Sequence, residues 1–187
     1  MHRKTFFYST IFVGILIILL LPEFNPSVIS VIRAMIPFGK PDWFGVALED
    51  AQTGQVFKIN DFAGKVVLVQ TFAEWCSYCA YQQNEVRDAA KLLGNPDDLV
   101  LVTLDVDLHE DKASLKKYAD YFDFGSRMAL SPLEVSRALG NLYSAEYLNP
   151  PLEPMLFIDR GGSVYGLPYG MKTAEQLKAT LAPYLQQ

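Results

Sequence analysis

The sequence VVLVQTFAEWCSYC, residues 66–79, decides the fold of this chain. Residues 66–72 are almost continuously apolar and rich in β-branched side chains, as in a strand buried on both faces of a sheet. Cys76 and Cys79 follow directly, and residues 78–93 then repeat apolar side chains at helical spacing. The stretch therefore predicts a buried strand that delivers two cysteines to the first turn of a helix.

The two cysteines carry the chemistry that this stretch predicts. Unpaired backbone N–H groups and the positive end of the helix dipole stabilise a thiolate, so Cys76 is the expected attacking sulfur. Cys79 lies one turn further in, where a spacing of three residues lets it close on Cys76 and resolve a mixed disulfide. A static disulfide and a clamp for a soft metal ion are the two other interpretations of this spacing.

Further strands and helices alternate along the rest of the chain. Residues 99–106 read as a second buried strand, and Asp111 is a suitable N-cap for a helix over residues 112–122. The remaining predicted elements are a hairpin over 46–59, a short helix over 132–139, an irregular connection over 140–151, a hairpin of strands 155–158 and 163–167, and a helix capped by Thr173 that ends near residue 184. This order predicts an α/β fold with a mixed central sheet flanked by helices.

The amino-acid composition and the charge distribution argue against several classes of function. The chain has 187 residues, of which 50% are hydrophobic and only two are cysteine, so a disulfide scaffold is excluded. Residues 1–40 hold four basic residues and one acidic residue, whereas residues 41–187 hold 12 basic and 20 acidic ones. The acidic part argues against binding to nucleic acid or to an anionic lipid surface.

The N-terminal residues predict a membrane anchor. Basic residues precede an apolar run over residues 6–24, and 19 residues of helix rise about 28 Å, close to the thickness of a bilayer core. We expect the N-terminus in the cytoplasm, a linker or interfacial segment over residues 25–41, and a domain over 42–187 on the extracytoplasmic side. A cleaved signal peptide is the competing interpretation, although no good cleavage site follows the apolar run.

Three segments resemble those of a known family. The stretch FAEWCSYC (72–79), Gly64-Lys65 before the buried strand, and LFIDRGG (156–162) are similar to thioredoxin-fold proteins of the TlpA-like group. Those proteins are membrane-tethered, extracytoplasmic thiol–disulfide oxidoreductases, and several reduce apocytochrome c or the cysteines of copper sites. The resemblance covers residues 42–187 and implies a thioredoxin-like fold with a redox-active pair, Cys76 and Cys79.

The resemblance also implies a substrate-binding rim. By analogy Pro154 is the cis-proline that faces the cysteines and pairs with substrate backbone, and Glu153 precedes it. We expect that an acid opposite Cys76 disfavours its thiolate, selects basic partners or points to water. Trp75 packs or lines the substrate groove, and Tyr81 is expected to pack in the core.

The chain departs from the family at two positions. Gln70 stands where many thioredoxins carry a buried Asp, and Gln82 stands where some TlpA-like reductases carry a Glu. Both are neutral amides where a base for Cys79 is expected. Glu74 matches a thioredoxin position, but we interpret it as a solvated carboxylate.

These observations leave three functions open. The first is a membrane-anchored reductase of exported proteins, fed by a membrane electron donor, with no cofactor besides the disulfide. The second is a chaperone that carries Cu(I) on Cys76 and Cys79 alone, since His109 reads as a surface residue. The third is an accessory subunit of a membrane respiratory or electron-transfer complex that uses residues 1–41 as contacts.

Overall fold

A five-stranded mixed sheet forms the centre of the protein in the computed structural model, which describes residues 40–186. Its five strands are Val66–Phe72 (β3), Leu99–Asp105 (β4), Arg127–Leu130 (β5), Met155–Ile158 (β6) and Val164–Gly166 (β7). Two shorter strands, Leu48–Glu49 (β1) and Val56–Phe57 (β2), precede them and form a separate antiparallel pair. The α-helices are Ser77–Leu92 (α1), Lys112–Phe122 (α2), Leu133–Leu142 (α3) and Ala174–Leu185 (α4). Short 3-10 helices span Asp42–Gly45, Ile59–Phe62, Ala145–Leu148 and Pro150–Leu152.

Strand β3 is the central strand of the sheet, whose order is β5-β4-β3-β6-β7. It runs parallel to β4 and antiparallel to β6, and all seven of its residues are buried. The continuous apolar run therefore predicted its position correctly, because only a strand covered on both faces needs apolar side chains at successive positions. Truncating a fully buried side chain such as Leu68 to alanine costs roughly 2–5 kcal/mol of stability.

Helices cover both faces of the sheet, as predicted. Side chains of α1 and α4, including Val86, Leu177 and Leu181, pack on one face against Val66 and Leu68 of β3. On the opposite face, side chains of α3 and of the Asp42–Gly45 turn form the core with those of β3 and β4; these include Trp43, Phe44, Val67, Val69, Val102, Leu104, Val135 and Leu139. A third cluster joins α2 to the cysteine end of β3 and α1, and thus places the cysteines at the edge of a packed core.

Local signals placed the helix ends well. Asp111 caps α2 by accepting hydrogen bonds from the backbone N–H groups of Ala113 and Ser114, at 2.8 and 2.9 Å. Thr173 caps α4 through the N–H of Gln176 at 3.3 Å. These caps were predictable because they depend on side chains within one turn of the helix they begin.

Other parts of the chain differ from the predictions. Strand β5 was not predicted, because four residues at a sheet edge carry no clear alternation. Helix α3 runs to Leu142 rather than residue 139, and much of the connection expected to be irregular forms two 3-10 turns. Within residues 40–186 no helix is long and apolar enough to cross a membrane. The predicted anchor over 6–24 and most of the linker over 25–41 lie outside the described residues.

Candidate active site

The two cysteines lie where β3 passes into α1, and they form a disulfide. Cys76 is the N-cap of α1, and its sulfur accepts the backbone N–H of Cys79 at 3.2 Å. Both residues are buried, and Cys79 has no exposed surface at all. The sulfur of Cys79 also lies 3.4 Å from the carbonyl oxygen of Pro150. Cys76 is thus the outer sulfur and Cys79 the inner one, as the spacing predicted.

Exposed aromatic side chains surround the outer cysteine. Trp75 is 60% exposed, and its indole N–H donates a hydrogen bond to Asp107 at 2.7 Å. Tyr81 is also exposed, so the prediction that it packs in the core is wrong; it lies on the outer side of the first turns of α1. With Phe122 these rings line a groove of about 470 Å³ that includes Cys76. The groove offers apolar surface directly beside the outer sulfur.

Glu153 lies behind the disulfide and is only 1% exposed. A carboxylate oxygen of Glu153 and the sulfurs of Cys76 and Cys79 all lie within 4.8 Å of one another. The amide of Gln70 donates a hydrogen bond to this carboxyl group, with 3.4 Å between Nε2 and Oε2. Burial raises the pKa of Glu153 to about 7, while the charge of Lys172 acts in the opposite direction.

Pro154 follows Glu153 and leads into β6, but its peptide bond is trans. The expected cis bond is therefore wrong. The chain turns into β6 at Glu153 itself, which adopts a left-handed conformation with φ 50° and ψ 51° after the Pro150–Leu152 turn. The carbonyl oxygen of Pro154 accepts the N–H of Thr71 at 3.3 Å, so this residue is paired with the end of β3.

The second glutamine, Gln82, binds the backbone of the loop that contains Lys172. Its side chain is fully buried and makes two hydrogen bonds with the backbone of Lys172, accepting its N–H at 2.7 Å and donating to its carbonyl oxygen at 3.0 Å. The ammonium group of Lys172 then donates to the carbonyl oxygens of Glu153 and Gly170, both at 2.6 Å. Burial lowers the pKa of Lys172 to about 8.

A second group of carboxyls lies at the end of β4. Glu74, Asp105 and Glu110, called the acidic cluster below, bring carboxylate oxygens within 4.8 Å of one another. Glu74 was expected to be solvated, yet it is half-buried and accepts the hydroxyl of Ser114 at 2.8 Å, because α2 packs over it. Burial raises the pKa of both Glu74 and Asp105, and a hydrogen bond with Glu110 raises that of Asp105 further.

Sequence reasoning did not find Asp105, Glu110 or Lys172. An acid that ends a buried apolar strand was a usable signal for Asp105, but nothing local marked the other two. The side chain of His109 is 95% exposed, as predicted, and it belongs to neither group of possible metal donors in the described residues. The donors beside the cysteines would be two thiolates and Glu153 once the disulfide is reduced.

The two cysteines have the geometry of a site for thiol–disulfide exchange, and a comparison with protein-family models supports this interpretation. The model for Redoxin matches residues 21–180. The chain belongs to the Redoxin family. With the Cys76–Cys79 disulfide, this confirms the predicted thiol–disulfide oxidoreductase activity.

Solved structures with the same fold include several exchange proteins. A thiol:disulfide interchange protein of the thioredoxin family from Chlorobium tepidum is 18% identical, with 80% of this chain and 97% of that chain covered at a TM-score of 0.66. The pneumococcal exposed lipoprotein thioredoxin from Streptococcus pneumoniae is 24% identical, with 74% and 98% covered at 0.58. A secreted Mycobacterium tuberculosis disulfide oxidoreductase, described as homologous to DsbE of E. coli, is 14% identical, with 76% and 98% covered at 0.55.

At these identities the similarity shows the fold, and it confirms the predicted thioredoxin-like architecture with its central mixed sheet. No curated protein matches the sequence.

Proposed function

We propose that this Redoxin-family protein is a membrane-anchored, extracytoplasmic reductant of disulfides in exported proteins. The observation that carries the proposal is the pairing of an aromatic groove with a carboxyl group at the disulfide. Exposed apolar groove surface suits a polypeptide client better than a small thiol, because contiguous exposed apolar surface marks protein interaction sites. Apocytochrome c and the cysteines of metal sites are the client classes that the family resemblance suggests.

The electrostatics favour a reductant. Oxidants of this type are strong because their reduced, thiolate form is stabilised. Here the carboxyl of Glu153 lies within 4.8 Å of both sulfurs, and an ionised carboxylate disfavours a neighbouring thiolate. The ammonium group of Lys172 is directed to two backbone carbonyls instead. The reduced form is therefore stabilised less than in such oxidants, which favours the transfer of electrons to a client.

The proposed reaction uses the two cysteines in order. The thiolate of Cys76 attacks a client disulfide and forms a mixed disulfide, and one client sulfur leaves as a thiolate that takes up a proton. Cys79 then loses its proton and attacks the sulfur of Cys76, which releases the second client thiol and leaves the Cys76–Cys79 disulfide. Two electrons pass to the client, and a membrane dithiol donor returns two electrons and two protons to the pair.

The reduction potential of the pair tests the direction of transfer. Full-length protein in mild detergent is equilibrated in defined redox buffers, and its thiols are trapped and counted by mass spectrometry. We expect a reversible two-electron couple below about −200 mV, whereas a value near −120 mV would reverse the assignment to an oxidant.

Location is tested separately. After mild reduction of intact cells, a membrane-impermeant maleimide should label the cysteine pair without lysis, and deletion of residues 1–40 should release the domain from the membrane fraction. Labelling only after lysis would contradict the extracytoplasmic assignment.

The Cu(I) alternative is the weaker one at this site. The third donor beside the two sulfurs is a carboxylate, which is a hard ligand, whereas Cu(I) prefers thiolate and thioether donors. Stoichiometric Cu(I) uptake that is lost in Cys76→Ser and in Cys79→Ser would support the chaperone over the reductase. The accessory-subunit alternative predicts that the full-length chain co-purifies with a membrane complex and that deletion of residues 1–40 abolishes this.

A further inference from the structure

The inner cysteine needs an internal partner for its proton. Cys79 has no exposed surface, so bulk water does not reach its sulfur directly. The sulfur must nevertheless lose a proton before it can resolve a mixed disulfide, because the thiolate is the nucleophile. The side chains at positions 70 and 82 are amides, which take up no proton near neutral pH. Another group on the inner side of the disulfide has to accept it.

Both glutamines instead hold one acid in place. Gln70 donates to a carboxylate oxygen of Glu153 from β3. Gln82 fixes the backbone of Lys172, whose ammonium group in turn donates to the carbonyl oxygen of Glu153. Glu153 is thereby held at its side chain from one direction and at its backbone from another. The amides thus position an acid that the chain supplies from the loop before β6.

The carboxyl group held in this way lies beside the sulfurs and has one oxygen without a hydrogen-bond partner among the described residues. That oxygen, Oε1, is buried, although a buried carboxylate oxygen normally has such a partner. One oxygen of this carboxyl group lies within 4.8 Å of both sulfurs, which leaves room for direct contact or for one bridging water. Burial has already placed the pKa of Glu153 close to neutrality, so it can both accept and return a proton there.

We infer that Glu153 is the proton acceptor and donor for Cys79, with Lys172 as its positioning residue. In the resolving step the Cys79 thiol transfers its proton to the Glu153 carboxylate, and the new thiolate attacks the Cys76 sulfur of the mixed disulfide. The Cys79–Cys76 bond forms, the bond from Cys76 to the client sulfur breaks, and the client leaves as a thiolate. Glu153 later returns its proton to Cys79 when the pair is reduced again.

The other groups that act on Glu153 are known. Lys172 is the cation, and it lowers the pKa of Glu153. Cys76 and Cys79 are the titratable groups beside its carboxyl group, and Gln70 is neutral. Tyr118 is affected by the charge of Glu153 from α2, but burial raises its pKa far above neutrality, so it stays protonated. The pH dependence of resolution is therefore expected to follow Glu153.

A two-phase assay separates the two sulfurs and does not depend on client, location or direction of transfer. Reduced full-length protein in mild detergent is mixed with 5,5′-dithiobis(2-nitrobenzoate), and release of the coloured thiol is followed by stopped flow. The first phase reports attack by Cys76, and the second reports resolution by Cys79. In Glu153→Gln we expect the second phase to slow about a hundredfold at pH 7, within the range of general acid–base effects, with the first phase little changed.

The pH profile distinguishes proton transfer from a structural effect. In the parent protein the second phase should rise through about pH 7. In Glu153→Gln it should rise only near the ordinary thiol value of about 8.5. Glu153→Asp should keep a profile of the parent type, and Gln70→Asp added to Glu153→Gln should restore part of the rate by supplying an acid from β3.

The matched control is Glu146→Gln, which neutralises an exposed acid seven positions earlier in the chain. It should leave both phases unchanged. Circular dichroism and a melting curve check that each variant folds. The inference is overturned if Glu153→Gln keeps the second-phase rate and its midpoint near pH 7, or if both phases fall by the same factor. If the measured potential contradicts the proposed reductant but the second phase still depends on Glu153, only the direction of transfer fails.

Discussion

Buried carboxyl groups occur in two regions of this protein: at Glu153 in the loop before β6, and in the acidic cluster of Glu74, Asp105 and Glu110 at the end of β4. Burial raises the pKa of Glu153, Glu74 and Asp105. The two regions differ in what the oxygens face. Carboxylates of the acidic cluster accept hydrogen bonds from nearby backbone: Glu110 accepts the N–H of Glu74 at 2.9 Å, and Asp105 accepts that of Asp107 at 3.0 Å.

Each region has a buried carboxylate oxygen without a hydrogen-bond partner among the described residues, Oε1 of Glu153 and Oδ2 of Asp105. The carboxyl group of Glu153 lies within 4.8 Å of both sulfurs, whereas that of Asp105 lies within 4.8 Å of two other carboxyl groups. A raised pKa therefore does not by itself mark a reactive acid. It marks burial, and the neighbours decide whether the proton is used in a reaction or shared within a structural cluster. We expect mutation to separate the regions: changes around Glu153 should alter rates, and changes in the cluster should alter stability.

The largest effect is expected from the sulfurs, whose loss removes the reaction on which the comparison depends. Cys76→Ser should lose all exchange with a disulfide-containing peptide, because the attacking thiolate is gone. Cys79→Ser should still attack and then accumulate the mixed disulfide, which mass spectrometry detects. An active Cys76→Ser protein would contradict the order of attack.

Lys172→Met tests the Glu153 region, where it should change both the pH dependence of the resolving step and the stability. Because the charge of Lys172 lowers the pKa of Glu153, its removal should move the midpoint of the resolving step above about pH 7. The buried carbonyl oxygen of Glu153 and the partly buried one of Gly170 also lose their donor, which should cost about 1–3 kcal/mol of stability. Stopped-flow pH profiles and urea unfolding measure the two effects. Lys178→Met, an exposed site on α4, is the control and should change neither.

Asp105→Asn should change stability and leave the exchange rate alone. A raised pKa means that the folded state holds the Asp105 proton more tightly than the unfolded chain, so this group makes stability fall as pH rises above its ordinary value of 3.8. Removing the ionisable group should stabilise the protein at pH 7 by about 1 kcal/mol or more, the equivalent of one pKa unit.

Denaturation of the oxidised protein at pH 5 and pH 8 measures this effect, with the exposed Asp97→Asn as control. The parent protein should lose more stability between these pH values than Asp105→Asn does. A slower second phase of exchange in Asp105→Asn would instead bring the acidic cluster into the proton pathway.

The smallest effect is expected at the groove. Trp75→Phe keeps the aromatic ring but removes the N–H that binds Asp107. The apparent KM for a peptide substrate should rise about two- to tenfold, as expected for the loss of one orienting hydrogen bond, while the resolving rate is unchanged. Steady-state kinetics with a disulfide-linked peptide and the two-phase assay together distinguish these outcomes. A change in the resolving rate alone would show that Trp75 acts on Cys79 rather than on the client.

The sequence predicted the features that depend on near neighbours in the chain. The apolar run of β3, the spacing of Cys76 and Cys79, and the caps Asp111 and Thr173 were all correct. Strand β5 was missed, because its pairing with β4 rather than its own four residues makes it a strand. The trans bond at Pro154 also differs from the prediction, which rested on the family resemblance.

The sequence predicted the two cysteines of the candidate site, but it did not predict the contacts that hold Glu153 beside them. Glu153 drew attention because an acid before Pro154 is unusual in this setting, yet its neighbour Gln70 lies 83 positions away in the chain. The two amides read as the loss of a base for Cys79. In the folded protein they hold Glu153, the acid inferred to serve as that base.

What the sequence alone determined is a thioredoxin-like fold with two cysteines at a helix start, because periodicity, spacing and capping act over one or two turns of chain. Only the tertiary structure decided which carboxyl faces the inner sulfur. That choice depends on β3, α1 and the loop that contains Lys172 meeting at one point, and on burial that excludes water there. Both arise when distant segments pack together, so no local pattern records them.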